Sequence, residues 1–318
     1  MGSKLRIVYM GTPDFAVAGL QTLVENGYQV VAVVTMPDKP AGRGYQIQYS
    51  PVKQYALQQG IPVLQPEKLK DPDFVAELAS YKADLQVVVA FRMLPEIVWA
   101  MPRLGTFNLH ASLLPQYRGA APIQWAVING EKQTGVTTFM LKHEIDTGNI
   151  ILQEKIEIGE DENVGSVHDR LMVLGSDVIL RTVALIDECD QKGIALPTTE
   201  QPESADLRPA PKIFKETCQI DFNQTCEQIH NFVRGLSPYP CAWANLTINN
   251  TLYENVKIYH VTAHPTPLPP YSSTPLPPYS PTPLSFPCAD GWVEIDELQL
   301  PGKKRMDAKA LLNGLRAH

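Results

Sequence analysis

The sequence has few cysteines, and none of them belongs to a paired motif. The five are scattered along the chain, and no C-x-x-C spacing occurs: Cys189, Cys218, Cys226, Cys241 and Cys288. Paired spacings are typical of zinc sites, and a regular even set is typical of disulfide-stapled secreted domains. We therefore expect reduced thiols, no metal site and a cytoplasmic protein.

Long apolar runs are absent as well. No stretch reaches the roughly 18 apolar residues of a membrane helix, and the first residues lack the apolar core and cleavage site of a signal peptide. The sequence also contains no G-x-G-x-x-G and no G-K-[ST], so dinucleotide and P-loop nucleotide binding are unsupported. We expect no membrane partner.

Positive charge is scarce in the first part of the chain. Residues 1–205 carry 17 Lys+Arg against 24 Asp+Glu, a net charge of −7, whereas residues 206–318 carry 10 of each. A nucleic-acid partner normally requires a basic surface. The overall charge therefore argues against such a partner, and only local basic clusters favour one.

The first half alternates short runs rich in Val and Ile with helical patterns. Such alternation is typical of parallel strands joined by right-handed crossovers. The predicted strands are 5–10, 30–35, 85–91, 106–109, 136–141 and 150–158, and the predicted helices are 15–25, 51–59, 73–80 and a long helix from a Ser166 cap to about 190. We predict an α/β fold with a doubly wound, mostly parallel sheet.

A proline-rich stretch, 193–211, is typical of a linker between domains. The predicted boundaries are therefore 1–192 for the first domain and 212–318 for the second. The second domain contains a predicted helix at 223–235, predicted strands at 242–248, 256–261 and 292–298, and a last helix between an Asp307 cap and Gly314. This pattern predicts a compact β-barrel or open β domain.

A proline-rich insert, 264–287, interrupts the second domain. The sequence Thr-Pro-Leu-Pro-Pro-Tyr-Ser occurs in it twice, at 266–272 and at 274–280. Proline at this density fixes φ and removes hydrogen-bond donors, which favours an extended, exposed segment between two strands.

The most informative stretch is 105–122. Asn108 and His110 lie two residues apart on a predicted strand, so both side chains leave the same face. An imidazole beside a carboxamide suits proton transfer next to a developing oxyanion. Asp146 follows a later strand, and its carboxylate is placed to orient His110, whereas His143 is a competing base close to Asp146.

Two basic clusters are candidates for binding a phosphate-bearing partner. Lys39 and Arg43 lie in a loop rich in Gly and Pro after the second predicted strand, and such a loop can close on a phosphate. The run Lys303, Lys304 and Arg305 is the concentrated positive site of the second domain and is a candidate RNA contact.

These segments resemble a known enzyme family. The sequence Asn108-Leu-His-Ala-Ser-Leu-Leu-Pro115, the run Arg-Gly-Ala-Ala-Pro-Ile-Gln and Asp146-Thr-Gly resemble the 10-formyltetrahydrofolate-dependent formyltransferases. Segments 11–15, 37–44, 50–53, 62–69 and 300–306 are similar to the methionyl-tRNA formyltransferases of that family. The resemblance implies a Rossmann-like domain followed by an OB-like β-barrel that binds tRNA, with translation initiation as the setting.

The resemblance also implies roles for particular residues. It implies formyl transfer from 10-formyltetrahydrofolate to methionyl initiator tRNA by a catalytic trio of Asn108, His110 and Asp146. Separately, we expect a monomer without a metal. Folate contacts are implied at Ser112, Leu113, Leu114 and Pro115, and tRNA contacts at Lys39, Arg43, Lys303, Lys304 and Arg305. Phe91, Arg92 and Met93 are also expected to contact the folate, although they depart from the family pattern at the pocket wall.

Two alternatives are compatible with the sequence. A folate-dependent formyltransferase acting on an amino sugar nucleotide or a glycinamide nucleotide would keep the trio. A non-catalytic relative would bind RNA or folate and show no turnover.

Overall fold

The computed structural model describes residues 5–41, 46–202, 206–248, 250–266 and 284–316. They form two compact units. The first unit comprises Met1–Gly119, Thr134–Ile156 and His168–Pro209, and the second comprises Ala120–Gln133, Glu157–Val167 and Ala210–His318. Two stretches of the second unit therefore lie within the first 192 residues, and the boundaries proposed from the linker composition stay a prediction.

A seven-stranded sheet forms the centre of the first unit. In chain order the strands are β1 (Arg6–Gly11), β2 (Gln29–Val34), β3 (Lys39–Ala41), β4 (Gln46–Gln48), β5 (Val63–Leu64), β6 (Leu85–Val89), β7 (Thr106–His110), β8 (Gln133–Met140) and β9 (Ile150–Glu157). The sheet order is β5-β2-β1-β6-β7-β8-β9, and β3 pairs separately with β4. In that sheet order, each strand from β5 through β2, β1 and β6 to β7 is parallel to its neighbour, and β8 runs antiparallel to β7.

Both faces of the central strands of this sheet are buried. Neighbouring residues Ile7 and Val8 of β1 point to opposite faces, and both side chains are fully buried. The helices of the chain as far as residue 192 are α1 (Asp14–Glu25), α2 (Pro51–Gln58), α3 (Pro72–Ser80), α4 (Glu96–Trp99), α5 (Pro122–Ile128) and α6 (Val164–Lys192). The prediction of a doubly wound, Rossmann-like sheet is confirmed. The near-continuous apolar runs in the sequence arise because helices cover both faces of these strands.

The second unit is built on an antiparallel sheet and several helices. Its elements are α7 (Cys226–Leu236), β10 (Ala242–Ile248), β11 (Thr251–Pro265), β12 (Ser285–Cys288), β13 (Gly291–Gln299), β14 (Met306–Asp307) and α8 (Ala308–Arg316), together with α5. The sheet order is β10-β11-β13-β12, with β14 paired to β13. Register shifts in β11 between Ile258 and Val261 bend the sheet into a half-barrel, which confirms the prediction of a small β domain.

Helix α5 packs closely on α7. A Cβ at Gly235 would lie 2.5 Å from Cγ1 of Ile128, so only glycine permits this approach. Asn231 of α7 lies beside Gly130 in the same way, with its Nδ2 2.8 Å from a Cβ built there. The contact therefore fixes α5 to the second unit through two positions without side chains.

Several local predictions are wrong in detail. Helix α6 begins at Val164, and the side chain of Asn163 accepts a hydrogen bond from the Ser166 amide at 3.0 Å, so Asn163 is the capping group at this end. Helix α8 continues past Gly314 to Arg316. The middle of the proline-rich insert lies outside the described residues, while β11 and β12 extend into its two ends.

Candidate active site on strand β7

Strand β7 has two chemically different faces. Leu109 points towards α6, where a Cβ at Gly175 would lie 2.7 Å from Cδ2 of Leu109. Asn108 and His110 therefore point to the opposite face, as their two-residue spacing predicts. Asn108 pairs with Val88 of β6 and with Phe139 of β8, so this polar pair lies inside the sheet and not at its edge.

Asn108 has an unused carboxamide. Its side chain is half-buried, and within the described residues it makes no hydrogen bond. A neutral amide that is positioned by a central strand and keeps both of its N–H donors is suited to binding a developing negative charge.

His110 is held in one tautomer by the main chain. Its ring is buried, and Nε2 lies 2.8 Å from the carbonyl oxygen of Tyr117. A carbonyl oxygen only accepts, so Nε2 carries the hydrogen and donates it. In the neutral ring Nδ1 is therefore the unprotonated nitrogen, and within the described residues it has no hydrogen-bond partner. The proton-accepting atom of this residue is Nδ1.

Asp146 reaches the same loop from the other side. Its Oδ2 accepts a hydrogen bond from the backbone N–H of Gly119 at 3.2 Å, and its own φ of 54° is left-handed. No hydrogen bond or ion pair joins it directly to His110 in the described part of the chain. The loop 117–119 instead contacts both residues, and the Tyr117 carbonyl performs the orienting role that the sequence assigned to the carboxylate.

The segment from Ser112 to Pro115 is held firmly. Buried Thr137 of β8 donates to the Ser112 carbonyl at 2.7 Å and accepts from the Leu114 amide at 3.2 Å. Gln153 donates to the Leu114 carbonyl at 3.0 Å and to the Thr137 hydroxyl at 2.9 Å. Leu113 lies between these anchored residues and is half-buried. Its side chain therefore offers an apolar surface to a ligand from a firmly held backbone.

The segment from Phe91 to Met93 follows β6. Arg92 donates to the carbonyl of Glu67 at 2.8 Å and also to the carbonyl of Pro66, which fastens the segment to the 66–67 loop. Burial lowers the pKa of the Arg92 guanidinium. The side chain of Met93 is 74% exposed, so an apolar thioether is available to a ligand beside a held main chain.

The basic residues of the sequence differ in how their charges are used. Lys39 begins the short strand β3, and Arg43 lies outside the described residues. Arg305 pairs with Glu297 and stacks over the Tyr259 ring, 4.3 Å from its centroid. Lys303 and Lys304 are exposed and have no ion pair within the described residues.

Sequence reasoning missed Gln201. Its Oε1 accepts from Arg118 Nε at 3.1 Å and from Arg118 Nη2 at 2.6 Å, while its Nε2 donates to the carbonyls of Asp146 at 2.9 Å and Gly148 at 2.8 Å. The side chain is 7% exposed. Its place in a proline-rich linker gave no sign of this, because its partners are remote and two of them are main-chain atoms.

A thiol cluster in the second unit also escaped notice. The Sγ atoms of Cys226 and Cys288 lie 2.8 Å apart, and within the described residues Asp290 completes a group whose ligand atoms are all within 4.8 Å of one another. Burial, followed by the hydrogen bond with Cys288, raises the pKa of the Cys226 thiol.

Comparison with known proteins places these features in a family. A sequence profile described as Formyl transferase matches residues 4–183, and one described as Formyl transferase, C-terminal domain matches residues 212–316. Across the described part of the chain, no helix combines the length and the apolar character needed to cross a membrane.

Two relatives that match the chain nearly end to end carry the same name. The chain is 57% identical over 318 residues to a methionyl-tRNA formyltransferase of Bacteroides thetaiotaomicron, covering 98% of this chain and 96% of that one. It is 59% identical over 310 residues to a methionyl-tRNA formyltransferase of Bacteroides fragilis, covering 98% and 95%. A solved sugar 3N-formyl transferase, WlaRD, in the presence of dTDP and 5-N-formyl-THF, has the same fold: the TM-score is 0.63 at 19% identity, covering 95% of this chain and 100% of that one.

Proposed function

Since this chain belongs to the methionyl-tRNA formyltransferase family, we propose that it transfers the formyl group of 10-formyltetrahydrofolate to the α-amine of methionine on initiator tRNA, using Asn108, His110 and Asp146. The arrangement of side chains around strand β7 supports this assignment of residues. Asn108 and His110 leave one face of β7, and each has an unused polar atom there. Asp146 is bonded to the loop that fixes His110.

The reaction moves one carbon unit and one proton. The amine lone pair attacks the formyl carbon, the C=O pair moves to oxygen, and collapse expels N10 of the folate, which gains a proton as the amine loses one. A methionyl α-amine has a pKa near about 8, so a useful fraction is neutral near pH 7. The protein must therefore bind an oxyanion and transfer a proton.

Asn108 and His110 divide these tasks. The Asn108 amide donates to the oxyanion without first giving up another hydrogen bond. His110 keeps Nε2–H on the Tyr117 carbonyl, so Nδ1 is the atom that takes up and returns a proton. When Nδ1 is protonated it becomes a second donor to the oxyanion.

Asp146 supplies negative charge beside the loop. Its Oδ2 accepts a hydrogen bond from Gly119 N–H, which leaves Oδ1 to accept a hydrogen bond from a water molecule or from the attacking amine.

The residues proposed to hold the folate fit a flat, partly apolar donor. Leu113 and Met93 offer apolar contact, and the main chain of 112–115 is fixed by Thr137 and Gln153. When bound, the folate supplies the activated formyl group. The solved relative in the presence of 5-N-formyl-THF supports a folate-derived donor.

The test is a formylation assay with three acceptors. Wild-type protein and 10-formyltetrahydrofolate are mixed with methionyl initiator tRNA, with methionyl elongator tRNA, or with an amino sugar nucleotide. We expect rapid formylation of the initiator tRNA alone. Turnover on the sugar nucleotide and none on tRNA would favour the small-amine alternative, and binding without turnover would favour the non-catalytic one.

A further inference from the structure

We infer that Gln201, bonded to Arg118, is the positioning residue that holds Asp146 in its working orientation. The inference deepens the proposed function and rests on it. No motif points to Gln201, and the residue lies 55 positions beyond Asp146 in the chain.

The orientation of the Gln201 amide is unambiguous. Both Arg118 nitrogens can only donate, so the atom facing them is the amide oxygen. Both Asp146 and Gly148 present carbonyl oxygens that can only accept, so the atom facing them is the NH₂ group. Four hydrogen bonds therefore use the amide in one direction, and a flipped amide would lose all of them.

These bonds act on the backbone at the carboxylate. Asp146 has a φ of 54°, a left-handed conformation that is costly for a residue with a side chain and persists only where its surroundings hold it. The Gln201 NH₂ group binds the carbonyl of that residue and the carbonyl two residues later. It thus holds the strained turn through its main chain.

At its exposed end the loop is braced by a bond within itself, from the Thr147 hydroxyl to the Glu144 carbonyl at 3.1 Å. His143, Glu144 and Ile145 are exposed, whereas Gly148 is buried against β8, where a Cβ would lie 1.6 Å from the Met140 carbonyl oxygen. Asp146 therefore lies between the exposed segment 143–145 and the buried Gly148. Gln201 is the buried side chain that ties the turn to the body of the first unit.

Arg118 links this tie to the other half of the site. It directly follows Tyr117, whose carbonyl orients His110, and directly precedes Gly119, whose N–H binds the Asp146 carboxylate. The path Arg118–Gln201–Asp146 therefore closes a ring of hydrogen bonds with Gly119. A shift of the Asp146 loop would have to break this ring.

The test is a double-mutant cycle on kcat. Gln201→Leu removes all four bonds, and Gln201→Glu keeps the shape and the Arg118 contact but has no donor for the two carbonyls. We expect both variants to lower kcat by about 10- to 100-fold with the KM for each substrate unchanged. In an Asp146→Asn background, Gln201→Leu should change kcat by no more than about twofold, because residues acting through one group are not additive.

A matched control removes a different hydrogen bond of the same linker. Trp125 Nε1 donates to the Pro211 carbonyl at 2.8 Å. Trp125→Phe should lower the melting temperature while kcat stays at the wild-type value. Full additivity of Gln201→Leu with Asp146→Asn, or a mild Gln201→Glu, would overturn the inference and leave the proposed function intact.

A second measurement does not depend on activity. Hydrogen exchange of the peptide covering 143–148 should be faster in Gln201→Leu and Gln201→Glu than in wild type, and unchanged in Trp125→Phe. Unchanged exchange in both Gln201 variants would overturn the inference, whether or not the wild-type protein formylates tRNA. Absence of tRNA formylation by the wild-type protein would instead contradict the proposed function.

Discussion

The imidazole Nε2 of His110 lies 2.8 Å from the main-chain carbonyl oxygen of Tyr117. The carbonyl belongs to the backbone, so no substitution of the Tyr117 side chain removes it. The histidine of this site is thus oriented by chain conformation: Tyr117 has a left-handed φ of 60°, and the adjoining loop is bonded to Asp146.

Replacement of His110 tests the assignment of Nδ1. A glutamine retains an N–H group that can reach the Tyr117 carbonyl but has no titrating group, so His110→Gln should keep its melting temperature and lose turnover. We expect kcat to fall by about 10² to 10⁴ for His110→Gln and for His110→Ala. His143→Ala, in the exposed part of the Asp146 loop, is the control and should retain full activity; the reverse result would make His143 the base.

Replacement of Asn108 tests oxyanion binding. Its side chain has no hydrogen-bond partner within the described residues, so its removal should leave thermal stability nearly unchanged. We expect Asn108→Ala to lower kcat by about 10² to 10³, as loss of one oxyanion donor does in other enzymes. Asn108→Asp keeps the shape and turns a donor into a negatively charged acceptor, so it should be at least as damaging. An active Asn108→Asp enzyme would exclude an oxyanion-binding role.

Thr137 should affect the folate donor selectively. Thr137→Val removes the partner of the Leu114 amide and of the Ser112 carbonyl, at a cost of about 1–3 kcal/mol in unfolding free energy. We expect the KM for 10-formyltetrahydrofolate to rise more than the KM for tRNA. Thr138→Val is the matched control, because buried Thr138 is hydrogen-bonded to Thr182 of α6 on the other face. Equal effects of the two variants on the folate KM would contradict the assignment of 112–115.

The basic run after β13 should contribute unequally to tRNA binding. Lys303 and Lys304 have free charges within the described residues, whereas Arg305 is engaged by Glu297. Each lysine-to-alanine change should reduce the slope of log K against log salt by about 1. Arg305→Ala should change this slope less and lower the melting temperature instead. Binding titrations at several salt concentrations, with folate affinity as the control, measure the difference.

Asp38 gives a pH-dependent stability prediction. Hydrogen bonds from Lys53 and then from Gln65 lower the pKa of the Asp38 carboxyl in the folded state. A depressed folded pKa stabilises the protein above the unfolded value, about 3.9, and this contribution is lost as pH falls through the folded pKa. Asp38→Asn should therefore cost about 1 kcal/mol at pH 7, and the difference from wild type should shrink below pH 4. Denaturant titrations of wild type and Asp38→Asn at a series of pH values measure this difference.

The sequence predicted the sheet well because the physical signal is strong there. Runs such as those in β1 and β6 are apolar on both faces, and only a covered parallel strand requires that. Short elements carry less signal. Strand β5 has two residues and β3 contains Pro40, so neither shows an alternating hydrophobic pattern. Helix α5 was not predicted either, although Pro122 in its first turn is a typical signal of a helix start.

The site was predictable where side chains define it and unpredictable where the main chain does. Asn108 and His110 follow from a two-residue spacing on a strand. The partner of His110 is a carbonyl, and carbonyls are present at every residue, so residue identity cannot point to Tyr117. The same reason hid Gln201, whose NH₂ group binds two carbonyls contributed by a loop far away in the chain.

The second unit cannot be excised from the gene in one piece. Helix α5, which fills the notch at Gly235, is encoded ahead of β8 and α6, while the half-barrel follows residue 210. A fragment starting there would expose the apolar side of α7 to water and would be prone to self-association.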